Sequence, residues 1–382
     1  MMNFSIIKTR DFYSDLFEKK GVLQKYTSIK YKETLLSNNL TIPSKKRINI
    51  VELFPNYLTP KTDPNYNVIP VYQKSGYAIN LSEFNTIDDF LKSTKTSFKK
   101  VTLRSVKRLE SCFNISYKMF YGKIEESYYF ELMEALYIMI QKRFTQRNGR
   151  NKVLENWDYY LQFAYQSIID KKASLFVILN NNEPIEISLN FHCDNIMYSA
   201  ISSFNLDYSK FSLGNIEIYK QLEWCLINNI VLFDMGYGDF EYKIRWSNYK
   251  YDFETHIISL KNSLLSHLIA TYFKYKYSLI NYLIKKNIKD KLYVYFDIFK
   301  KEEKKQSNIE YELIKIELLP TSLSPCDYNK KEFTFLKKPI FDFLYSFQEN
   351  INDISIFKKE DTPNSYIIIG KKNTSILNLI SE

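Results

Sequence analysis

The chain has 382 residues, 45% of them hydrophobic, which excludes a disordered protein and is enough for two domains with packed cores. The formal net charge of +10 permits nucleic acid, an anionic membrane or a phosphorylated molecule as a partner and selects none of them. The four cysteines are widely spaced, without the pattern of a metal site or a disulfide framework. With no apolar leader and no membrane-spanning run, these features predict a cytoplasmic protein that uses no metal.

Residues 1–95 are predicted to form an N-terminal α/β region. Ile48–Phe54 and Tyr77–Leu81 are the predicted strands, and four prolines between them indicate an irregular connection. Ser82 or Thr86 is placed to cap a short helix over Ile87–Leu91.

A basic helix is predicted from Thr96 to Ser111. Four of its five basic residues recur at three- and four-residue spacing and share one face: Lys100, Arg104, Lys107 and Arg108. Such a face either remains in solvent or grips a phosphate of the substrate or donor, and both interpretations stay open. Under the second, Arg104 and Arg108 bind substrate.

Two further helices are predicted over Glu125–Arg147 and Leu154–Ile169, each with an apolar stripe at helical spacing. Arg143 stands near the end of the first helix. Its guanidinium can clamp an anionic substrate group, or it can stabilise the carboxyl end of its own helix. Strands over residues 174–179, 185–192 and 196–202 then form a predicted antiparallel meander.

A polar loop ending at Asn215 leads into the next predicted helix. The first turn of a helix leaves N–H groups unsatisfied and carries partial positive charge. Ser209, Ser212 and Gly214 are small enough to admit a phosphate, and Lys210 adds a mobile positive charge. The alternative is an ordinary helix start that Ser212 caps.

A short buried strand follows this helix and ends at Asp234. Gly236 and Gly238 allow the chain to turn sharply, which fixes Asp234 and returns Lys243 towards it. Asp234 either removes a proton as a general base or holds the glycine loop by hydrogen bonds. Lys243 is expected to neutralise a phosphate of donor or acceptor.

Two more polar residues complete the candidate chemistry. Tyr198, on a neighbouring strand, is the second candidate proton acceptor, and Glu241 is a candidate substrate ligand. The three histidines, at positions 192, 256 and 267, are scattered, so no catalytic triad is predicted.

Three segments resemble the acyl-CoA-binding half of the GNAT acyltransferase superfamily, and most of all its CelD-like acetyltransferase domain, a relative of the Fem-type aminoacyl transferases. They are Phe204–Tyr208, Phe211–Gly214 and Phe233–Lys243. The family usually has proline where Ser212 stands. The resemblance extends upstream to the neighbourhood of Tyr77.

This resemblance implies an α/β (α+β) fold with a mixed, mainly antiparallel central sheet flanked by helices, and it allows a tandem or degenerate pair of such domains. It implies acetyl-CoA or another acyl-CoA as co-substrate. The implied donor-binding residues are Phe204, Ser209, Lys210, Phe211, Ser212, Leu213, Gly214 and Asn215. The implied substrate-binding residues are Arg104, Arg108, Arg143 and Glu241.

We therefore expect an N-acyltransferase that moves an acyl group, acetyl first of all, from coenzyme A to an amine of a small molecule or glycan precursor of the cell envelope. Two alternatives stay open: an aminoacyl-tRNA-dependent transferase of Fem type, and a non-catalytic GNAT-fold binding module in envelope assembly. A free cleft beside the donor loop favours the enzyme, whereas a cleft filled by Tyr or Trp favours the module.

The rest of the chain carries no motif. The predicted acyltransferase domain covers residues 96–260, a helical segment on its core covers 261–300, and a C-terminal extension of unknown role covers 301–382. The helix over Leu264–Ile284 either lies on the inner face of a membrane or packs on the core with its lysines in solvent. Within the extension, Lys301–Lys305 indicates a linker, and Ile309–Leu318 and Tyr366–Ile369 are predicted strands.

Overall fold

The computed structural model describes residues 6–9, 11–18, 26–38, 48–145, 152–286, 310–318, 320, 322–362 and 364–380. By their contacts the residues divide into two units whose segments alternate along the chain. Unit 1 comprises residues 1–83, 191–200 and 229–303, and unit 2 comprises residues 84–190, 201–228 and 304–382. The boundaries predicted near residues 95, 260 and 300 stay a prediction, and the predicted linker Lys301–Lys305 lies outside the described residues.

Unit 1 is built from the following elements. Its strands are β1 (Ile6–Thr9), β2 (Tyr26–Tyr31), β3 (Thr34–Asn38), β4 (Ile48–Pro55), β5 (Leu58–Thr62), β6 (Tyr66–Asn80), β11 (Leu232–Tyr237) and β12 (Tyr249–Leu260). Its helices are α1 (Phe12–Glu18), α8 (Glu241–Trp246) and α9 (Leu264–Lys285). The main strands follow the order β1-β4-β12-β6-β11, and a smaller sheet has the order β3-β2-β5.

The core of unit 1 lies between α9 and the main sheet. Ile50, Val71 and Ile257 come from β4, β6 and β12 and form one buried cluster with Ala270, against which Phe273 of α9 also packs. Strand β12 pairs antiparallel with both β4 and β6, so its side chains are buried over most of its length. This arrangement explains why the apolar residues of α9 that face the sheet recur at helical spacing.

The proline-rich stretch of unit 1 forms strands, so the predicted irregular connection was wrong. Pro60 lies in β5, an edge strand that among the described strands pairs only with β2. Proline lacks an N–H group, and an edge strand tolerates this because no strand on its open side needs that hydrogen bond. Pro70 lies in the half of β6 that pairs only with β12, because β11 pairs with β6 only from Gly76 to Asn80. Both prolines therefore sit where a strand has a single neighbour.

Unit 2 carries the remaining elements. Its helices are α2 (Ile87–Ser93), α3 (Thr96–Cys112), α4 (Glu126–Thr145), α5 (Lys152–Glu155), α6 (Trp157–Ile169), α7 (Leu213–Ile227) and α10 (Lys337–Phe347). Its strands are β7 (Ile115–Phe120), β8 (Ala173–Asn180), β13 (Glu310–Ile316), β14 (Leu323–Pro325), β15 (Ser355–Lys359), β16 (Ser365–Ile369) and β17 (Thr374–Ile380). The residues of β9 (Glu183–Cys193) and β10 (Ile196–Phe204) are divided between the two units.

The order and pairing of strands confirm the predicted mixed, mainly antiparallel fold. In unit 1, residues 196–198 of β10 run parallel to β11, whereas β6, β11 and β12 pair antiparallel. In unit 2, β7 pairs antiparallel with β8, and helices α6 and α7 pack against β8. The extension forms its own antiparallel sheet in the order β13-β17-β16-β15-β14. Over the described ranges, no helix has the length and apolar content needed to cross a bilayer.

Candidate functional site

The predicted donor loop is a 3-10 turn, Leu206–Phe211, followed directly by α7. Asn205 caps the turn by accepting a hydrogen bond from the Asp207 amide at 3.0 Å. Ser212 occupies the N-cap position of α7 in the left-handed conformation, with φ 58° and ψ 42°, and its side chain caps nothing. The prediction that Ser212 caps the helix was wrong, because a capping side chain normally extends from a strand-like backbone.

The left-handed backbone at Ser212 leaves the first amides of α7 open to an anion, whereas a capping side chain would occupy them. A right-handed residue followed by a left-handed one turns successive N–H groups towards a common concave face. A Cβ atom built on Gly214 would meet no atom within 4 Å, so space is open beside the first turn of α7. The start of α7 therefore offers uncapped amides next to free volume.

The C-terminal extension holds this loop within unit 2. The Nζ atom of Lys210 lies 3.2 Å from a carboxylate oxygen of Asp342 in α10, so Lys210 is not the mobile charge that was predicted. Tyr208 and Phe211 pack against Phe341 and Tyr345 of the same helix, with ring centroids 4.6 Å and 5.2 Å apart. The extension thus acts as a brace for the predicted donor loop.

Arg143 and Phe204 were predicted separately and lie together in unit 2. The guanidinium of Arg143 is 5.2 Å from the centre of the Phe204 ring, a cation–π contact. Arg143 is in the last turn of α4, as both interpretations of it require. The contact places its charge beside the end of β10.

The basic face of α3 forms one wall of a cleft of 480 Å³. The cleft is lined by Arg104, Lys107, Arg108, Ser111 and, from beyond the end of α10, Gln348. The Arg108 guanidinium also donates a hydrogen bond to the Tyr345 carbonyl and lies 5.2 Å from the centre of the Tyr345 ring. Lys100 does not line the cleft.

A buried polar network in unit 2 was missed by the sequence analysis. The Ser188 hydroxyl lies 2.9 Å from a Glu186 carboxyl oxygen and 2.5 Å from a Glu217 carboxyl oxygen, and the Gln221 amide donates to Glu217 at 2.8 Å. All four side chains are at most 5% exposed. The sequence does contain a pattern that could have predicted this network. Polar residues alternate along a strand at Glu186 and Ser188, and Glu217 and Gln221 are four residues apart on one face of a helix.

Burial controls the titration of this network. It raises the pKa of Glu217, against the hydrogen bonds from Ser188 and Gln221 that lower it. Burial also raises the pKa of Glu186, and the nearby charge of Glu217 raises it further. The pair therefore retains a proton at a pH where exposed glutamates have lost theirs.

In unit 1, Asp234 is fully buried and extensively hydrogen bonded. Tyr57 donates to one carboxylate oxygen at 2.7 Å, Tyr251 donates to both at 2.7 Å and 2.9 Å, and the Gly236 amide donates at 2.8 Å. Tyr13 lies beside the same carboxyl group, although its hydroxyl makes no hydrogen bond of ordinary geometry among the described residues. Burial raises the pKa of Asp234, and these donors oppose the rise.

The glycine loop turns as predicted, with φ of 70° at Gly236 and 105° at Gly238. Lys243 returns to it and donates to the carbonyl oxygens of Met235 and Tyr237 at 2.6 Å and 2.7 Å. Burial lowers the pKa of Lys243 to about 8, while the charge of Asp234 opposes the decrease. The ammonium group therefore closes the loop by binding its carbonyl groups.

Tyr198 and Glu241 occupy very different surroundings in unit 1. Tyr198 packs edge-on against Tyr13, with centroids 4.6 Å apart, and burial raises its pKa well above the usual range. A phenol of this kind keeps its proton at neutral pH and suits a proton donor better than a base. Glu241 opens α8, is exposed and pairs with Arg245.

The structure thus groups the predicted residues in two sets. The donor loop, Phe204 and the three arginines lie in unit 2; the predicted catalytic residues and Glu241 lie in unit 1. Within the described part of the chain, no cluster of His, Cys, Asp and Glu is arranged to hold a metal ion.

Comparison with known proteins gives one family match. Residues 99–244 match the family model described as acetyltransferase (GNAT) domain, a range that contains the donor loop, Asp234 and all but the first three residues of α3. A search of curated proteins finds no match.

Several solved structures are similar to part of the chain. FemX covers 59% of this chain and 75% of its own at 9% identity, with a TM-score of 0.42. A conserved protein of unknown function from Bacteroides thetaiotaomicron VPI-5482 covers 57% and 71% at 8% identity, with a TM-score of 0.38. A tandem GNAT protein from the clavulanic acid biosynthesis pathway covers 55% and 64% at 10% identity, with a TM-score of 0.29. Values of this size support no conclusion about activity.

Proposed function

We propose that the GNAT domain carried by this chain is an active N-acyltransferase, which moves an acyl group, acetyl first of all, from coenzyme A to an amine. The acceptor class is a small molecule or a glycan precursor of the cell envelope. The observation that carries the proposal is the match over residues 99–244, because that range includes the start of α7 with its uncapped amides and the open space at Gly214.

In this proposal the diphosphate of coenzyme A binds the amides at the start of α7. Ser209 and Ser212 can add hydroxyl donors, and the paired Lys210 contributes its charge through a position fixed by Asp342. The amine attacks the thioester carbonyl, a C–N bond forms and the C–S bond breaks. The amine then loses a proton, and the thiolate gains one.

The hydrogen bonds of Asp234 support a bracing role for this residue more than a catalytic one. Its carboxylate accepts bonds from two phenols and one amide and is closed to solvent. Tyr198, which keeps its proton, suits the protonation of the leaving thiolate. The same closed surroundings favour a second candidate, the non-catalytic binding module, because an enclosed carboxylate cannot exchange protons readily.

A titration with coenzyme A and acetyl-CoA tests the proposal directly. Wild type should bind in the micromolar to millimolar range, and Gly214→Glu should weaken binding at least about tenfold, because it places a negative charge beside the diphosphate. Gln162→Glu is the matched control, since Gln162 is exposed on α6. Absence of binding at millimolar coenzyme A would refute the donor assignment. Stabilisation by aminoacyl-tRNA in its place would indicate the Fem-type alternative.

Binding must be followed by turnover with an amine. Release of free thiol from acetyl-CoA, measured with a panel of amino sugars and small amines, should depend on the amine and be lost in Gly214→Glu. If coenzyme A binds but no amine of the panel is acylated, the binding module is the better description.

We also propose that the protein acts in the cytoplasm at the inner face of the membrane, through the outer face of α9. Large apolar side chains are exposed along one stripe of this helix: Leu264, Leu268, Tyr272, Tyr275, Leu279 and Tyr282. Lys274 and Lys276 are also exposed, and α9 contains no acidic residue, so the face complements an anionic lipid surface. Sedimentation with phosphatidylglycerol vesicles should exceed that with phosphatidylcholine vesicles, and Leu268→Ser/Leu279→Ser should abolish it. Equal sedimentation with both lipids would contradict the proposal.

A further inference from the structure

The cleft beside α3 has two walls that the structure holds in fixed positions. Arg108 donates to the Tyr345 carbonyl, the Cys112 thiol donates to the Leu344 carbonyl at 3.5 Å, and the Asn350 amide donates to the Ser111 carbonyl at 2.9 Å. These bonds join the last turns of α3 to the end of α10. The cleft is therefore a preformed feature of unit 2.

The charge of the cleft is positive throughout. Of the five residues in the described part of the chain that line it, three are cationic and none is acidic. Arg104 and Lys107 are exposed, and among the described residues neither forms an ion pair. Where the described ranges supply no carboxylate to the cleft, its three cations repel one another, and an anion bound between them removes that repulsion.

Gln348 gives an independent indication that the cleft is used. It adopts the left-handed conformation, with φ 58° and ψ 40°, at the end of α10, a position where glycine is the residue of lowest strain. Unlike glycine, a glutamine at this position is under some backbone strain. It offers in return a side-chain amide that can both donate and accept hydrogen bonds. Gln348 lines the same cleft as the basic residues.

We infer that this cleft binds the phosphate groups of a substrate of the transfer reaction. The inference rests on the proposed function, because it assigns the ligand to that reaction. Two sources share the chemistry: the 3′-phosphorylated nucleotide end of coenzyme A, and a phosphorylated acceptor such as a nucleotide sugar. The C-terminal extension, through Gln348, then has a role in substrate binding.

Size and charge both select phosphate over a single carboxylate. A volume of 480 Å³ is in the range of small-molecule sites. One carboxylate would neutralise one of the three cations, whereas a phosphate monoester or a diphosphate carries about two charges and offers several acceptor oxygens. The planar guanidinium of Arg104 can bind two of those oxygens at once.

The test compares four probes by calorimetric titration: coenzyme A, 3′-dephospho-coenzyme A, UDP-N-acetylglucosamine and inorganic pyrophosphate. The variant is Arg104→Gln/Lys107→Gln, which leaves the structural bond of Arg108 intact. Lys100→Gln/Lys118→Gln is the control, because it removes the same charge from exposed lysines of unit 2 outside the cleft. The cleft variant should lose at least about tenfold in affinity for the phosphate ligand, and the control less than about twofold.

The pattern of losses identifies the source. If the donor occupies the cleft, wild type prefers coenzyme A to its 3′-dephospho form and the cleft variant loses that preference. If the acceptor occupies the cleft, the cleft variant loses affinity for UDP-N-acetylglucosamine and keeps its affinity for coenzyme A. Equal losses in the cleft variant and the control, or none for any probe, would overturn the inference while leaving the proposed function intact. Pyrophosphate binding that depends on Arg104 and Lys107, without coenzyme A binding, would uphold the cleft and refute the donor assignment.

A second variant separates binding from folding. Gln348→Gly relieves the left-handed strain, so its Tm should equal or exceed that of wild type, while its affinity for the phosphate ligand should fall by about threefold or more. An unchanged affinity would show that Gln348 takes no part in the site and would count against the inference.

Discussion

Glu186 and Glu217 share one hydroxyl group, that of Ser188, which lies 2.9 Å from the first carboxyl and 2.5 Å from the second. A hydroxyl carries one proton and can donate to only one of them. The other carboxyl must therefore be protonated to complete the chain of hydrogen bonds. The Gln221 amide donates to Glu217 and lowers its pKa, whereas the Glu217 charge raises that of Glu186, so Glu186 keeps its proton to higher pH.

The shared proton predicts a pH dependence of stability. The pKa values of both glutamates are raised in the folded protein, that of Glu217 to about 7. Above pH 4.5, the ordinary pKa of a glutamate, the folded state therefore binds more protons than the unfolded state. Stability is therefore highest at low pH within this window and falls as pH rises from about 4.5 to 7. Glu186→Gln keeps the hydrogen bond without an ionisable proton and should flatten this decline by about 1–3 kcal/mol in urea unfolding. Parallel profiles for variant and wild type would contradict the shared proton.

Glu349 predicts the opposite pH dependence, in which its contribution to stability increases as pH rises. Burial raises its pKa, but the backbone amides of Lys371, Lys372 and Asn373 and the Asn373 side chain lower it more, so the net shift is downward. Glu349 stabilises the folded protein at any pH above its pKa in the unfolded chain. This stabilisation is lost as the pH falls through its lower pKa in the folded protein. Glu349→Gln should cost about 1–3 kcal/mol at pH 7 and much less at pH 3, measured by thermal unfolding. A cost independent of pH would mean that packing and not charge is responsible.

Asp342 links the extension to the donor loop through Lys210. It lies 3.2 Å from Lys210 and 3.3 Å from Lys338, and it also accepts a hydrogen bond from Tyr311. Asp342→Asn should release Lys210 and raise the Kd for coenzyme A by about threefold to tenfold in calorimetric titration. Lys338→Gln removes the other lysine and is the control. If both variants weaken coenzyme A equally, the effect comes from α10 in general and not from the Lys210 contact.

Asp234→Asn distinguishes the two roles proposed for this residue. A bracing role predicts a loss of about 1–3 kcal/mol of stability, because the amide nitrogen cannot accept hydrogen bonds from Tyr57 and Tyr251. A general base predicts an unchanged Tm and a decrease in turnover of about a hundred- to ten-thousand-fold. We expect the first result, with Tyr251→Phe giving a similar decrease in Tm. A stable variant without turnover would restore Asp234 as the base.

Local patterns were sufficient for most of the regular structure. The basic helix, predicted over Thr96–Ser111, extends over Thr96–Cys112, and the helix cap at Thr86 accepts a hydrogen bond from Asp89 as its sequence position implies. Asn229 follows the end of α7 in the left-handed conformation, which asparagine accepts more readily than most residues. Helix starts, helix ends and turns depend on neighbouring residues, so one sequence carries enough information to place them.

The sequence by itself predicted most of the helices and strands, and its family resemblance predicted the mixed fold. The residues of the donor loop stay a prediction. Only the tertiary structure decided which distant residues come together: that Lys210 is held by Asp342, that Gln348 lines the same cleft as the basic residues of α3, and that Glu186 and Glu217 share the Ser188 hydroxyl. It also decided that Pro70 lies in a strand, since the absence of a second neighbour, and not the proline itself, makes the position tolerable. Such pairings join residues far apart along the chain, and their free energies depend on burial, which no local pattern specifies.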